Sequence, residues 1–179
     1  MALIVEDGSG ADDSESYVSV SDASNYATKW GYPWAPTDTA AAEAALRRAT
    51  SWIDAHYRIY FPGEKINGRT QSLEWPRKDA YDASGDAIDS TSVPIEIQRA
   101  TAEAAVVELQ QPNALSPVVT SGRVIKSATV SGAVSVTYSD EGGVVAGQRP
   151  VVTSIDDILG GLFPVTATGQ TSIVYLRRA

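Results

Sequence analysis

The fold is decided by residues 38–58, DTAAAEAALRRATSWIDAHYR. Apolar side chains recur there at intervals of three and four residues, which places them on one face of an α-helix. These residues are Ala42, Ala45, Leu46, Ala49, Trp52, Ile53, His56 and Tyr57. On the other face, Glu43 precedes Arg47, and Asp54 precedes Arg58, by four residues, the spacing of a helical ion pair. The stretch therefore predicts a long helix that packs one face against a core.

A shorter helix is predicted before it, over residues 22–30. The Ser21 side chain can cap the first turn, and Gly31 can adopt the left-handed conformation that ends a helix. Residues 1–20 contain only short apolar stretches separated by glycine, serine and aspartate. We expect an N-terminal arm there.

A third helix is predicted from Pro94 to Gln111, since proline is tolerated in the first turn. Its polar side chains form one narrow stripe and leave two apolar arcs. The first arc comprises Ile97, Ala100, Ala104 and Val107, and the second Ala102, Ala105, Val106 and Leu109. We expect the first arc to face the core. The second is expected to contact either a neighbouring subunit or the connection 59–92 of the same chain.

The connection 59–92 has no helical or strand periodicity, and a structureless loop of about 30 residues is unusual in a compact domain. We expect an ordered loop whose apolar residues pack down: Phe61, Leu73, Trp75, Tyr81 and Ile88. Within it, Trp75-Pro76-Arg77 is the most distinctive string, because an aromatic residue before proline raises the chance of a cis bond. Trp75 and Arg77 are interpreted either as a packed corner or as an interface anchor.

After Pro117 the composition shifts to valine, threonine, serine and glycine. Strands over 124–130 and 133–139 around Ser131-Gly132 predict a β-hairpin, and Ser154 is expected to cap a short helix over 155–162. The terminal residues Ile173, Val174, Tyr175 and Leu176 predict a strand before Arg177 and Arg178. A strand at a chain terminus can pair with a neighbouring subunit, so we expect Ile173 to Arg178 to form an interface.

The predicted fold class is α+β, a mainly helical bundle with a β-hairpin and a C-terminal strand. The expected organisation is a single domain with an arm (1–20), a helical bundle with the ordered loop 59–92 (21–116), and a final part with hairpin, short helix and strand (117–179).

Composition narrows the class of protein. Hydrophobic residues make up 43% of the chain, enough for a core, and no apolar run reaches the length of a membrane-spanning helix. The absence of cysteine excludes disulfides, thiolate metal sites and cysteine nucleophiles. The formal net charge is −8, and an acidic surface repels the phosphates of nucleic acids.

Signals for catalysis are weak. His56 is the only histidine and lies on the apolar face of the long helix, where a structural role fits better than that of a general base. Asp79, Asp82, Asp86 and Asp89 do not have the spacing of a calcium loop. The tryptophan and tyrosine side chains could stack on bases, but core packing explains them more simply. We therefore predict no catalytic, cofactor-binding or metal-binding residue, and no enzyme.

Several strings, in one order, span almost the whole chain: IVEDGSG (4–10), SYVSVSDASNY (16–26), ALRRATSWIDAHYR (45–58), SLEWPR (72–77), VPIEIQRATAEAAV (93–106) and IVYLRRA (173–179). Together they resemble a family of small structural proteins of tailed bacteriophages, the head–tail connector (adaptor) proteins. That family is commonly labelled DnaT-like single-stranded-DNA-binding.

The resemblance implies a virion subunit at the head–tail interface, assembled in the host cytoplasm. Its implied partners are further copies of itself in a ring of about twelve, the portal protein, and a downstream stopper or tail-completion protein. Double-stranded DNA would pass through the ring without specific binding, and neither a cofactor nor a membrane is implied. The acidic charge favours this interpretation over the alternative, a single-stranded-DNA-binding replication accessory protein.

Overall fold

Asp38 begins α2 (Thr39–Tyr57), the longest helix among the described residues, by accepting a hydrogen bond from the backbone N–H of Ala41 at 2.7 Å. The computed structural model describes residues 2–117, 128–130, 134–136 and 152–163. The apolar face predicted for this helix is the buried one, with Leu46 and Ile53 fully shielded from solvent. The decisive stretch therefore folds as its periodicity predicts.

The fold is α+β and mainly helical, as predicted. The other helices are α1 (Val20–Trp30), α3 (Ile95–Gln110) and α4 (Thr153–Leu159). Two small antiparallel sheets pair β1 (Glu64–Lys65) with β2 (Arg77–Lys78), and β3 (Ala128–Val130) with β4 (Val134–Val136). The predicted C-terminal strand 173–176 lies outside the described residues. In the part of the chain that the structure describes, no helix is long and apolar enough to cross a membrane.

Helix α1 begins two residues earlier than predicted. Its N-cap is Ser19 and not Ser21, and the Ser19 hydroxyl accepts a hydrogen bond from the backbone N–H of Asp22 at 3.1 Å. Gly31 ends the helix in the left-handed conformation at φ 73°, as predicted. That geometry turns the chain back, so that the backbone N–H of Tyr32 donates to the carbonyl of Ala27.

Helix α3 is packed on several sides by its own chain, against α1, α2 and α4. Both predicted arcs are shielded: Ile97, Ala100 and Ala104 from the first, and Ala102, Ala105 and Val106 from the second, are buried in the single chain. Leu109 is partly buried. Both arcs are thus shielded within the single chain, and the expected alternative to a subunit contact, cover of the second arc by the connection 59–92, stays a prediction. A subunit interface on the second arc stays a prediction.

A buried carboxylate fixes the C-terminal end of α3. Glu108 is 1% exposed and accepts a hydrogen bond from Arg48 Nε of α2 at 2.6 Å. It also accepts from the backbone N–H groups of Asn113 and Leu115, at 2.8 and 3.0 Å. One side chain therefore ties two helices to the loop that follows.

The loop 59–92 is ordered and packs down as expected. Phe61, Leu73 and Trp75 enter the core, and Ile88 packs against it. Tyr81 does not pack against the core, and 55% of its surface is exposed. The Trp75-Pro76 peptide bond is cis.

Asp54 joins this loop to α2 and to the N-terminal segment. Its carboxylate lies 2.5 Å from the hydroxyl of Tyr17, which donates to it, and accepts from the backbone N–H of Glu74 at 3.0 Å. The Tyr17 oxygen in turn accepts from the backbone N–H groups of Glu74 and Trp75. Tyr17 itself is buried, so the segment predicted as an arm packs against the bundle at this point.

The predicted hairpin is confirmed where it is described, with Ala128, Thr129 and Val130 paired to Val136, Ser135 and Val134. Helix α4 begins at Thr153 after an N-cap at Val152, so Ser154 is not the predicted cap. A 3-10 turn over Gly160–Leu162 continues it. Helix α4 is joined to α2 by a hydrogen bond of 2.7 Å from the Tyr57 hydroxyl to Asp156.

We predict that Glu108→Ala destabilises the protein by about 2–4 kcal/mol, since two backbone N–H groups lose their acceptor and Arg48 loses its partner. Urea unfolding followed by circular dichroism measures the effect. Gln110→Ala, an exposed position on the same helix, is the matched control and should change the free energy of unfolding by less than about 0.5 kcal/mol. Equal effects of the two changes would contradict the role assigned to Glu108.

Burial raises the pKa of Asp54 to about 7, although the hydrogen bonds from Tyr17 and the Glu74 N–H act in the opposite direction. A carboxyl with a higher pKa in the folded state binds its proton more tightly there. Its stabilising effect is therefore present at acidic pH and lost as the pH rises to about 7. Asp54→Asn cannot ionise, so the stability of this variant relative to wild type should rise by about 2 kcal/mol between pH 5 and 8. A pH-independent difference in urea unfolding would refute this.

Candidate nucleic-acid interface

Three aromatic rings meet at the C-terminal end of α1. Tyr26 and Trp30 lie one helical turn apart, with ring centroids separated by 5.9 Å. Tyr32 follows the chain reversal at Gly31, and its ring stacks on that of Tyr26 at 6.2 Å with an interplanar angle of 30°. We call Tyr26, Trp30 and Tyr32 the aromatic platform.

The aromatic platform faces solvent. Trp30 is 57% exposed, and Tyr26 and Tyr32 are partly exposed. Two other tryptophans, Trp52 and Trp75, are buried, so core packing does explain those rings. An exposed tryptophan beside two partly exposed tyrosines is a surface on which unpaired bases can stack.

The hydroxyls of the two tyrosines are hydrogen-bonded to a buried carboxylate. Glu103 of α3 is 6% exposed, and its two oxygens accept one hydrogen bond each from the hydroxyls of Tyr26 and Tyr32, both at 3.3 Å. Burial, and then the charge of Glu103, raise the pKa of both phenols above the usual value. The phenols therefore stay protonated at neutral pH and donate their hydrogens to Glu103.

Two exposed cations flank the aromatic platform. Lys29 precedes Trp30 in the last turn of α1, and Arg99 lies on α3 one turn before Glu103. The charge of Arg99 acts on Tyr26 in the direction opposite to that of Glu103. Exposed rings with neighbouring cations are the combination that binds single-stranded nucleic acids.

This cluster is not among the sites predicted from the sequence. The signal for part of it is the string YATKWGY (26–32), in which Lys29 stands between the aromatic residues. No local pattern indicates that Arg99 and Glu103, about 70 residues further on, join the same surface.

A groove of about 320 Å³ is the second candidate site, lined in part by Arg47, Arg58, Asp54, Glu15 and Glu74. Arg47 forms an ion pair with Glu15 at 2.8 Å. Three acidic side chains around two arginines do not form a phosphate site, because the carboxylates repel a phosphate as strongly as the guanidinium groups attract it. The aromatic platform is therefore the stronger candidate.

Trp75 and Arg77, considered as an interface anchor, lie inside the chain. Trp75 is fully buried and Arg77 is 8% exposed. Arg77 donates to the carbonyls of Pro62 and Gly63, both at 2.7 Å, and forms an ion pair with Glu74 at 3.0 Å. This arrangement is the packed corner that was the alternative interpretation. A contact with a partner stays a prediction, and the other interface residues, Ile173 to Arg178, lie outside the described residues.

His56, the only histidine, is partly buried and stacks on Trp52, with ring centroids 4.9 Å apart. In the aspartate-rich turn, the Asp82 carboxylate accepts hydrogen bonds from the backbone N–H groups of Ser84 and Asp86. Among the described residues, no group of three histidine, aspartate or glutamate side chains is placed to hold a metal ion.

Comparison with known families supplies the decisive observation. One family model, described as "Putative DnaT-like ssDNA binding protein", matches residues 1–179, the whole chain. The chain belongs to this DnaT-like family. Neither a curated protein nor a solved structure matches it.

Membership in the DnaT-like family corrects the functional prediction. The prediction of a phage head–tail connector is wrong, because the matching family is described by single-stranded-DNA binding. The acidic net charge is a weak argument against DNA binding, since it sums over the molecule and does not report two cations beside an aromatic surface. The predicted virion location is not shown, and the predicted contacts with a portal and with a stopper or tail-completion protein are not tested. The predicted homo-oligomeric ring is not tested by the described residues.

Proposed function

We propose that this DnaT-like protein binds single-stranded DNA on the aromatic platform, with Lys29 and Arg99 in contact with phosphates. The observation that carries the proposal is the exposed Trp30 beside two tyrosines whose orientation is fixed by Glu103. The family description supports the same ligand. The proposed activity is binding alone, which needs no catalytic group.

Stacking accounts for the preference for single strands. In a duplex both faces of each base are covered by its neighbours, whereas an unpaired base can place one face on a protein ring. Each such contact contributes about 1–3 kcal/mol and depends little on sequence. The aromatic platform thus distinguishes single-stranded from double-stranded DNA more strongly than it distinguishes one sequence from another.

The net charge of −8 limits the electrostatic part of binding. Arg47, Arg48 and Arg77 are engaged in ion pairs with glutamates and are not free to meet a phosphate. Lys29 and Arg99, by contrast, are exposed beside the rings. We infer that stacking dominates and that few phosphates are neutralised.

The first test is Trp30→Ala, with affinity measured by fluorescence anisotropy of a labelled oligonucleotide. We expect the affinity for single-stranded DNA to fall by between about 5-fold and about 100-fold, the range for loss of one stacked base. Tyr81→Ala removes a comparably exposed ring from the loop 59–92, and this matched control should bind as wild type does. A blunt duplex of the same length should bind more weakly than the single strand. Wild-type affinity in Trp30→Ala would sink the proposal.

The second test concerns salt. Two neutralised phosphates on a single strand give a slope of about −1.4 in a plot of log affinity against log salt concentration. Replacing both cations, in Lys29→Gln/Arg99→Gln, should therefore make the slope shallower by about 1.4. Lys78→Gln, an exposed lysine of β2, serves as the control and should leave the slope unchanged. A slope that does not respond to the double change would place the phosphate contacts elsewhere.

A further inference from the structure

The hydrogen-bonding state of the aromatic platform is set by Glu103. A tyrosine hydroxyl has one hydrogen to donate and oxygen lone pairs that accept. Tyr26 and Tyr32 each donate that hydrogen to Glu103, one to each carboxylate oxygen. Toward a ligand, both phenol oxygens can therefore only accept.

We propose that Tyr26 and Tyr32 recognise the exocyclic amino groups of bases, so that the aromatic platform prefers cytosine and adenine to thymine. The inference rests on the proposed binding of single-stranded DNA and adds a base preference to it. Glu103 is the positioning residue, since it acts through the two tyrosines and not by touching the base.

The chemistry of the bases decides the direction of the preference. Cytosine carries an amino donor at N4 and adenine one at N6, whereas thymine presents an oxygen acceptor at the corresponding position. The one donor of an unpaired thymine, N3–H, lies between two carbonyl oxygens, whose lone pairs repel an oxygen that can only accept. The amino groups of cytosine and adenine have no carbonyl on a neighbouring ring atom, so they donate to such an oxygen without this repulsion. Trp30 has no part in this choice, because every base has a face that can stack.

The geometry resists reversal of these hydrogen bonds. Glu103 is 6% exposed, so a phenol that turned its hydrogen toward a ligand would leave a buried carboxylate oxygen without a donor. Tyr26 and Tyr32 are only partly buried. The exposed Lys29 and Arg99 beside them contribute donors, and these favour phosphates and do not compete as acceptors.

The experiment compares the affinities of the full chain for two oligomers of equal length, one of deoxycytidine and one of thymidine, at about pH 8. Wild type should bind the deoxycytidine oligomer about fivefold more tightly, the effect of one hydrogen bond of average net strength. Tyr26→Phe/Tyr32→Phe keeps the rings and removes both acceptors. It should bind the two oligomers with equal affinity.

Glu103→Gln provides the second arm. A glutamine amide donates to one phenol oxygen and so releases the hydrogen of that phenol toward the ligand. The preference should fall below about twofold, and the pKa of the two phenols, followed by ultraviolet titration, should drop because the charge of Glu103 is gone. Tyr32→Phe alone, which leaves Glu103 the hydrogen bond from Tyr26, decides the matter if Glu103→Gln does not fold, and it should weaken the preference.

The outcomes separate the two proposals. If wild type binds neither oligomer, the proposed function fails, and the base preference fails with it. If wild type binds both and Trp30→Ala weakens both, the function stands. In that case equal affinities, a preference for thymidine, or a preference that survives Tyr26→Phe/Tyr32→Phe overturns the inference about the phenols.

Discussion

Carboxylates buried against tyrosine hydroxyls are the constraint on which this fold depends. Tyr17 donates to Asp54, Tyr26 and Tyr32 donate to Glu103, and Tyr57 donates to Asp156. A buried carboxylate without a donor is strongly destabilising, so each of these acids requires its partner in place. The hydroxyl groups come from elements other than those of the acids, and the bonds therefore fix how the elements meet.

The same constraint explains how so acidic a chain can present a cationic surface. A phenol satisfies a buried carboxylate oxygen without using a lysine or an arginine. At Glu103 two phenols do so, which leaves Arg99, one turn away on the same helix, exposed to solvent. At Glu108, in contrast, the partner is Arg48, and the positive charge of that side chain is engaged in the ion pair. The pairing of each buried acid thus determines where positive charge remains available.

Features that depend on residues close together in the sequence could be predicted, whereas features that depend on contacts between distant residues could not. The bounds of α2 and α3, the left-handed Gly31 and the hairpin pairing are set by residues within a few positions of each other, and they were predicted. The cap of α1 was misplaced by two residues, because Ser19 and Ser21 are chemically equivalent as caps and only packing chooses between them. The loop 59–92 was predicted to pack, yet Tyr81 remained exposed, since apolar character alone does not say which rings reach the core.

The candidate site shows why its function was harder to predict than its fold. Its rings lie within the seven residues 26–32 and can be seen in the sequence, but a row of aromatic residues on a helix is usually core. What distinguishes this row is Glu103, whose bonds to Tyr26 and Tyr32 span 77 and 71 residues. Those bonds hold the tyrosines at the surface, partly exposed and with a defined hydrogen-bonding polarity. The property that makes the surface suitable for unpaired bases therefore depends on the tertiary contact with Glu103. It could not be predicted from the sequence of α1 alone.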